Sequence, residues 1–294
     1  MLIRFLLPVL VSFGLGWGQS AVGQLLEQKA LARIRAIDES LDGVLGVAAI
    51  DLATGQTLAY HADAVFPQAS GIKIPILIEM FRAARAGQFR FTDSVTLAAR
   101  DAVAGDGDLK DRLKRGPVTI TIRELVRAMI ETSDNTATNQ CIRLAGMEAV
   151  NRTLHELGFS FTRLRRLMMD TGAARRDEEN VSTPLEMARL VELLYRGKAV
   201  DEEASKEMIG VLKLAKGAIR AAVPEKIEVA AKPGNVPGVF TESGIVFHPK
   251  RPFALSVQAA YLATEKNPIP EVTRAVYEYF DRLGGSNRYG HRIE

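Results

Sequence analysis

Strand patterns occur near both ends of this chain, and a long helical stretch lies between them. The predicted strands cover residues 47–52, 57–60, 227–231, 244–247 and 253–260. From Ser70 to Leu214 the apolar residues recur almost throughout at helical spacing. The simplest packing brings both ends into one antiparallel sheet, so the sequence predicts an α+β fold with an all-helical lobe.

Helices are also predicted outside the strands, at residues 25–40 and 270–283. We expect these terminal helices to flank the antiparallel sheet, because a sheet must cover its apolar faces. The predicted α/β lobe is discontinuous and consists of residues 24–64 and 215–294, whereas residues 65–214 form the helical lobe. A functional site is expected in the cleft between the two lobes.

One helix start inside the helical lobe has a distinct signature. Thr183 and Glu186 have the spacing of a capping box, and Pro184 falls at the first helical position. Gly197 predicts the end of this helix.

The first 23 residues have the pattern of a secretory signal peptide. Arg4 is followed by a short apolar run and by the small-residue exit Ala21-Val22-Gly23. The alternative is a membrane anchor, but the run is short and contains Pro8. We therefore expect an exported, periplasmic or extracellular protein that begins at Gln24 and keeps no stable membrane anchor after cleavage.

Composition argues against several other classes of function. Lys and Arg number 38 and Asp and Glu number 35, and this even balance gives no electrostatic case for a nucleic-acid partner. Cys141 is the only cysteine and is interpreted as a core residue, so a disulfide and a cysteine-rich zinc site are excluded. Asp106-Gly107-Asp108 is interpreted as a solvated loop rather than a calcium site. We expect a monomer without a metal or another cofactor.

Ser70 and Lys73 lie at the predicted start of a helix, where residues three apart share one face. The Ser70 hydroxyl is therefore expected beside the Lys73 amine, near a helix N-terminus that stabilises developing negative charge. The pair is a candidate nucleophile and base. A capped helix with an exposed lysine has the same spacing, so the pair alone does not establish a site.

Two further motifs follow in the chain. Ser133-Asp134-Asn135 falls between predicted helices, and Lys232-Pro233-Gly234 closes the predicted strand at residues 227–231. Each motif alone has an ordinary explanation, as a polar break between helices or as the end of a strand. Together with the Ser70 motif, they have the order of the Ser-x-x-Lys, Ser-Asp-Asn and Lys-Thr-Gly set.

The sequence resembles the class A β-lactamase family, which belongs to the penicillin-recognising serine hydrolases together with related penicillin-binding D,D-peptidases. The likeness includes residues 66–76 and 118–125 around the first two motifs and covers about residues 45–283. It implies acyl transfer, in which Ser70 captures the amide carbonyl of a β-lactam or a D-Ala-D-Ala-type peptide and water later releases the acyl group.

The expected catalytic residues are Ser70, Lys73, Ser133 and Lys232. Lys73 acts as a base only when it is neutral, so its pKa must be lowered by burial and by a nearby cation such as Lys232. Ser133 would relay a proton to the leaving nitrogen, and Lys232 would attract a substrate carboxylate.

The expected substrate-binding residues are Asn135, Pro233, Gly234 and Asn235. The Asn135 amide is suited to gripping a substrate amide and to orienting the Lys73 amine. The resemblance implies an oxyanion hole formed by the backbone N–H groups of Ser70 and Asn235.

Pro233 departs from the family pattern, which has Thr or Ser at this position. Proline has neither a hydroxyl nor an N–H, so one hydrogen bond to a substrate carboxylate is lost, at a cost on the order of 1.5–3 kcal/mol. Proline is tolerated in an edge strand. We therefore expect an effect on substrate preference and none on the fold.

The loop before the predicted Thr183 helix departs further. Class A β-lactamases carry Arg-x-Glu-x-x-x-Asn there, and the glutamate activates the water that releases the acyl group. Counting from Arg166 places Met168 at the glutamate position and Gly172 at the asparagine position, and the neighbouring register fits no better. Asp170 is the nearest carboxylate in the loop and is either a substitute base or a helix cap.

Three functions are compatible with these residues. Overall similarity favours β-lactam hydrolysis, whereas the missing glutamate favours a penicillin-binding D,D-peptidase or cell-wall amidase that releases its acyl group slowly. The third is a non-catalytic module that binds β-lactams or wall fragments. A complete set of serines and lysines is more than such a module requires.

Overall fold

The computed structural model describes residues 20–264 and 266–293. Most of the predicted signal peptide, residues 1–19, lies outside the described residues, and residues 21–23 belong to the first helix. Within the described ranges no helix combines the length and apolar character that a membrane crossing requires.

Helices and strands alternate as the sequence patterns predict at both ends of the chain. The helices are α1 (Ala21–Glu39), α2 (Lys73–Arg85), α3 (Leu109–Leu113), α4 (Ile122–Glu131), α5 (Asn135–Ala145), α6 (Met147–Glu156), α7 (Thr171–Ala174), α8 (Pro184–Tyr195), α9 (Glu202–Leu212), α10 (Ala218–Ala222) and α11 (Ile269–Gly284). The strands are β1 (Val44–Asp51), β2 (Thr57–Tyr60), β3 (Phe66–Pro67), β4 (Ser94–Leu97), β5 (Val118–Thr121), β6 (Val181–Ser182), β7 (Val229–Val236), β8 (Val239–Val246) and β9 (Phe253–Ala260). Short 3₁₀ turns cover Ala69–Ile72 and Ala99–Asp101.

Five strands form the antiparallel sheet that the sequence predicts, in the order β2-β1-β9-β8-β7. Both faces of the sheet are covered. Along β1, Ala48 and Ile50 belong to the core shared with the helical lobe, whereas Val47 and Ala49 belong to the core under α1 and α11. Alternate side chains of a strand point to opposite faces of the sheet. Because both faces are buried here, β1 is apolar at successive positions and shows no polar alternation.

Strand β7 is longer than predicted. The sequence pattern ends it at residue 231, but the paired strand continues through Lys232, Pro233 and Gly234 to Val236. The third motif therefore lies within the strand and does not close it. β7 is an edge strand of the sheet, as predicted for a strand that contains Pro233, and a missing N–H is tolerated there.

Helix α2 lies at the centre of the helical lobe and contacts α4, α5, α6 and α9. Its residues from Lys73 to Phe81 are all buried, as expected of a helix that other elements surround on every side. Helix α8 packs on β1, β8 and β9, and it joins the helical lobe to the sheet. The predicted lobe boundaries at residues 64–65 and 214–215 stay a prediction.

The predicted capping box at α8 is only half formed. Thr183 Oγ1 accepts from Glu186 N at 3.1 Å, and Pro184 is the first helical residue. The Glu186 carboxylate does not return to the cap. It accepts instead from the backbone N–H groups of Ser160, Phe161 and Thr162, because these donors are brought beside it by the tertiary fold.

Candidate active site

Ser70 lies in the 3₁₀ turn that leads into α2, and this turn is fixed to the sheet. Thr241 Oγ1 on β8 donates to the Gln68 carbonyl at 2.9 Å, and Gln68 N donates to the Asn180 carbonyl at 2.8 Å. Ala69 has a φ of 44°, a left-handed conformation that costs energy in a residue with a Cβ. Such strain persists only where the surroundings impose it, which is common beside a reactive group.

The three sequence motifs meet at the hydroxyl of Ser133, in the junction between α4 and α5. Ser133 Oγ lies 2.9 Å from Ser70 Oγ, 2.9 Å from Lys73 Nζ and 3.1 Å from Lys232 Nζ. We call these four residues the catalytic cluster. Among the described residues no direct hydrogen bond joins Lys73 to Ser70. The contact expected from the three-residue spacing runs through Ser133 instead.

Lys73 is fully buried, and its amine is held by three oxygens. Nζ donates to the Ser133 carbonyl at 2.7 Å, to Ser133 Oγ, and to Asn135 Oδ1 at 3.1 Å. Burial, and after it the positive charge of Lys232, hold the pKa of Lys73 well below its ordinary value. A neutral amine is therefore accessible, which is the state that a base requires.

Lys232 approaches the same hydroxyl from β7. Its Nζ also donates to the Pro233 carbonyl at 2.9 Å. Burial lowers the pKa of Lys232 to about 8, while the carboxylates of Glu242 and Asp106 act in the opposite direction. Lys232 is therefore mostly cationic at neutral pH.

Gly234 allows β7 to approach Ser70. A Cβ at this position would lie 2.7 Å from both Ser70 N and Gly71 N, closer than real side chains come. Ser70 N belongs to the first turn of a helix, where backbone N–H groups have no partner within the helix. Asn235 follows Gly234 at the exposed end of the edge strand, opposite Phe240. The two proposed oxyanion donors thus flank the closest approach of β7 to the 3₁₀ turn.

The loop of residues 162–180 carries no base to this cluster. Met168, which counting from Arg166 places at the glutamate position, is 7% exposed and packs in the helical core. Asn139 on α5 holds its backbone, through a 2.8 Å bond from Met168 N and a 3.2 Å bond to the Met168 carbonyl. Asp170 is exposed, and its Oδ1 accepts from Ala173 N as the cap of α7. No carboxylate of this described loop is hydrogen-bonded to the catalytic cluster.

Several residues that shape this loop were missed by sequence reasoning. Arg166 and Glu179 form an ion pair at 2.8 Å, and Asn180 Oδ1 accepts from the backbone of Arg165 and Arg166. Asn139 had a usable signal, because it lies four residues after Asn135 and so on the same face of a helix. The partners of Arg166 had none, since their positions depend on how the loop closes.

Ser70 lies at a helix start, beside two buried lysines and a bridging serine, between a helical lobe and an antiparallel sheet. This arrangement is typical of a class of serine hydrolases. Within this class the chain belongs to the class A β-lactamase family, because the profile of the Beta-lactamase enzyme family matches residues 29–280. β-Lactamase AST-1 of Nocardia asteroides is 28% identical over 257 residues, which are 84% of this chain and 82% of that protein.

Solved structures agree with this assignment. A β-lactamase from Sphaerobacter thermophilus has 30% sequence identity and a TM-score of 0.80, over 86% of this chain and 97% of that chain. The structure of PBP-A has 23% identity and a TM-score of 0.78, over 88% of this chain and 97% of that chain, and it supports the fold alone.

Proposed function

We propose that the protein is a serine enzyme that β-lactams acylate at Ser70 and that releases the acyl group slowly. The observation that carries this proposal is the catalytic cluster, in which one hydroxyl, Ser133 Oγ, contacts the nucleophile and both lysines. A serine hydroxyl is a weak nucleophile until a base takes its proton. Neutral Lys73 is that base, and Ser133 connects it to Ser70.

Acylation begins when Ser70 Oγ bonds to the carbonyl carbon of the lactam. The Ser70 proton passes to Ser133, whose own proton passes to neutral Lys73. The carbon–nitrogen bond of the ring then breaks, and the ring nitrogen takes a proton from Ser133. Lys73 returns its proton to Ser133, so the base is neutral again when the acyl-enzyme is complete.

Lys232 binds the carboxylate that β-lactams carry beside the ring nitrogen. Lys232 is cationic below its pKa of about 8. Its amine donates to Ser133 Oγ, the hydroxyl that protonates the ring nitrogen. The neighbouring Pro233 supplies no hydroxyl, so the lysine acts on the carboxylate as a single point charge.

Slow release follows from the 162–180 loop. Hydrolysis of the acyl-enzyme needs an activated water, and general-base help is worth about 10²–10⁴ in rate. Met168 has no proton acceptor to offer at the glutamate position, and Asp170 caps α7. The same cluster that forms the acyl-enzyme therefore lacks the partner that would remove the acyl group.

The test is the intact mass of the protein against time after mixing with benzylpenicillin. We expect one equivalent of penicilloyl adduct on Ser70 that persists for many minutes, and none in Ser70→Ala. A protein that never gains mass, although the penicillin is in excess, would contradict the proposal.

A second candidate is β-lactam hydrolysis with rapid turnover, favoured by the similarity to proteins that are themselves β-lactamases. It predicts steady turnover of a chromogenic cephalosporin that disappears in Ser70→Ala. A burst of one equivalent without further turnover would separate slow release from this alternative. Cleavage of a D-Ala-D-Ala peptide, measured in parallel, would identify a peptide acyl donor.

A further inference from the structure

The loop of residues 104–108 is attached directly to the substrate-binding asparagine. Asn135 Nδ2 donates to the Ala104 carbonyl at 3.0 Å, and Asn135 N donates to the Asp106 carbonyl at 3.2 Å. Gly105 has a φ of 89°, and a Cβ there would lie 2.5 Å from Asn135 Nδ2. The sequence predicts that this loop is merely solvated. The structure instead fixes it against Asn135 through the carbonyls of Ala104 and Asp106.

The Asp106 carboxylate is an exposed charge at this rim. Among the described residues it has no hydrogen bond or ion pair of its own, yet its charge raises the pKa of both Lys73 and Lys232. Asp134 also acts on Lys73 and Glu242 also acts on Lys232, but both of these are buried and accept backbone hydrogen bonds. Asp106 is thus an exposed carboxylate, in a loop that is hydrogen-bonded to Asn135, and it is left available to a ligand.

The position of Asp106 relative to a bound substrate follows from two proposed binding groups, Lys232 and Asn135. The proposed carboxylate anchor, Lys232, lies on β7, and the proposed amide anchor, Asn135, lies on α5 under the 104–108 loop. A β-lactam held by both presents the side chain beyond its amide to this loop. A charge on that side chain would therefore lie on the side of the groove that carries Asp106.

We propose that Asp106 is a specificity-determining residue that favours acyl donors with a cationic group beside the acyl amide and disfavours donors with an anionic group there. This inference rests on the proposed acylation of Ser70. Opposite charges attract and like charges repel across the groove, and for an exposed charge we expect an effect of about 3- to 10-fold on the rate for each sign.

Three penicillins with one nucleus provide the test, because they differ only at the carbon next to the side-chain amide. Ampicillin carries an ammonium group there, benzylpenicillin has no charge, and carbenicillin carries a carboxylate. Second-order acylation rates are measured on the full chain at about pH 6.5, below the usual pKa range of an α-amino group. The ratio of two rates cancels any effect of a variant on Lys73 or Lys232 that the penicillins share.

In the unchanged protein we expect the rates to fall in the order ampicillin, benzylpenicillin, carbenicillin. Asp106→Asn should reduce the ampicillin-to-carbenicillin ratio by about tenfold or more, and Asp106→Lys should invert the order. Asp108→Asn removes an exposed charge two residues away and should keep the original ratio. Added salt should shrink the ratio in the unchanged protein and leave it nearly constant in Asp106→Asn.

Two results would overturn the inference alone. One is acylation by all three penicillins with the same rate ratio in Asp106→Asn as in the unchanged protein. The other is an equal loss of the ratio in Asp108→Asn, which would indicate the general field of the surface. Failure of all three penicillins to acylate the unchanged protein would instead overturn the proposed function, and this inference with it.

Discussion

The catalytic cluster and the 162–180 loop are both held in place by dense hydrogen bonding, but they differ in the chemistry they present. In the cluster, Ser133 Oγ lies within 3.1 Å of Ser70 Oγ and of the amines of both lysines. The loop is held by the Arg166–Glu179 ion pair and by Asn139, yet counting from Arg166 places Met168 where a glutamate is expected. The hydrogen bonds that hold a loop in place and the chemical group that the loop presents are therefore separate properties.

This difference divides the reaction into two parts. Under the proposed function, the cluster forms the acyl-enzyme, and the loop would have to supply the group that releases it. Substitutions in the cluster should therefore change acylation, whereas substitutions in the loop should change release.

The largest effect is expected from Lys73→Met, which removes the base and keeps an unbranched side chain of similar length. Acylation by benzylpenicillin should slow by about 10²–10⁴, because general-base help contributes that much. Intact mass against time measures the rate, and circular dichroism confirms that the variant folds. A folded variant that is acylated within tenfold of the original rate would show that another group takes the Ser70 proton.

The next effect is expected from Met168→Glu, which places a carboxylate at the position where the loop lacks one. Release of the penicilloyl group should become about 10- to 10³-fold faster, within the range of general-base catalysis. Loss of adduct mass after removal of free penicillin measures this rate.

Met168→Gln is the matched control for this substitution. Glutamine has nearly the same size and shape as glutamate, but its neutral amide is a much weaker base than a carboxylate. Release should stay slow in Met168→Gln and in Asp170→Asn. Faster release in the glutamine variant would assign the effect to loosening of the loop.

A smaller change in acylation is expected from Gly234→Ala. Its Cβ would lie 2.7 Å from the backbone nitrogens of Ser70 and Gly71, so β7 must move away from the nucleophile. We expect acylation to slow by about tenfold, because one oxyanion donor would be shifted from its position without being lost. Gly210→Ala, in α9 with open space around its Cα, should keep the rate and raise the free energy of unfolding by about 0.5–1 kcal/mol. Equal acylation in both variants would contradict the role of close approach.

The smallest effect concerns stability. Burial raises the pKa of Glu242 to about 7, against the backbone N–H groups of Ile219 and Ala218 and the charge of Lys232, which lower it. A raised folded pKa favours the protonated carboxyl, so this stability is present below pH 4.5 and is lost as the pH rises through about 7. Glu242→Gln removes this ionisation. Its free energy of unfolding, relative to that of the unchanged protein, should therefore be about 1–3 kcal/mol more favourable at about pH 8 than at about pH 5.

Denaturant unfolding at both pH values measures this gain, with Glu225→Gln as the control at an exposed glutamate. The control should show little difference between the two pH values. A gain of equal size at both pH values in Glu242→Gln would indicate a packing effect and remove the role of ionisation.

Much of the fold was predictable because it depends on local periodicity. Strand β2 has the predicted bounds, and β9 ends and begins where its apolar run does. The predicted end of β7 at residue 231 was wrong. Pairing with β8 continues through Lys232 and Pro233, although neither residue favours a strand. The Glu186 half of the predicted capping box was wrong for a similar reason. The Glu186 carboxylate accepts from backbone N–H groups that are distant in sequence.

The sequence by itself determined the fold class and the family, through apolar periodicity and through three short motifs in a fixed order. The tertiary structure decided which atoms touch: Ser133 bridges Ser70 and Lys73, Met168 packs into the core, and Asp170 turns to a helix cap. Periodicity is a property of neighbours along the chain, so the sequence carries it directly. A hydrogen bond or a lowered pKa depends on distances of about 3 Å between groups and on the water excluded around them, which exist only after the chain has folded.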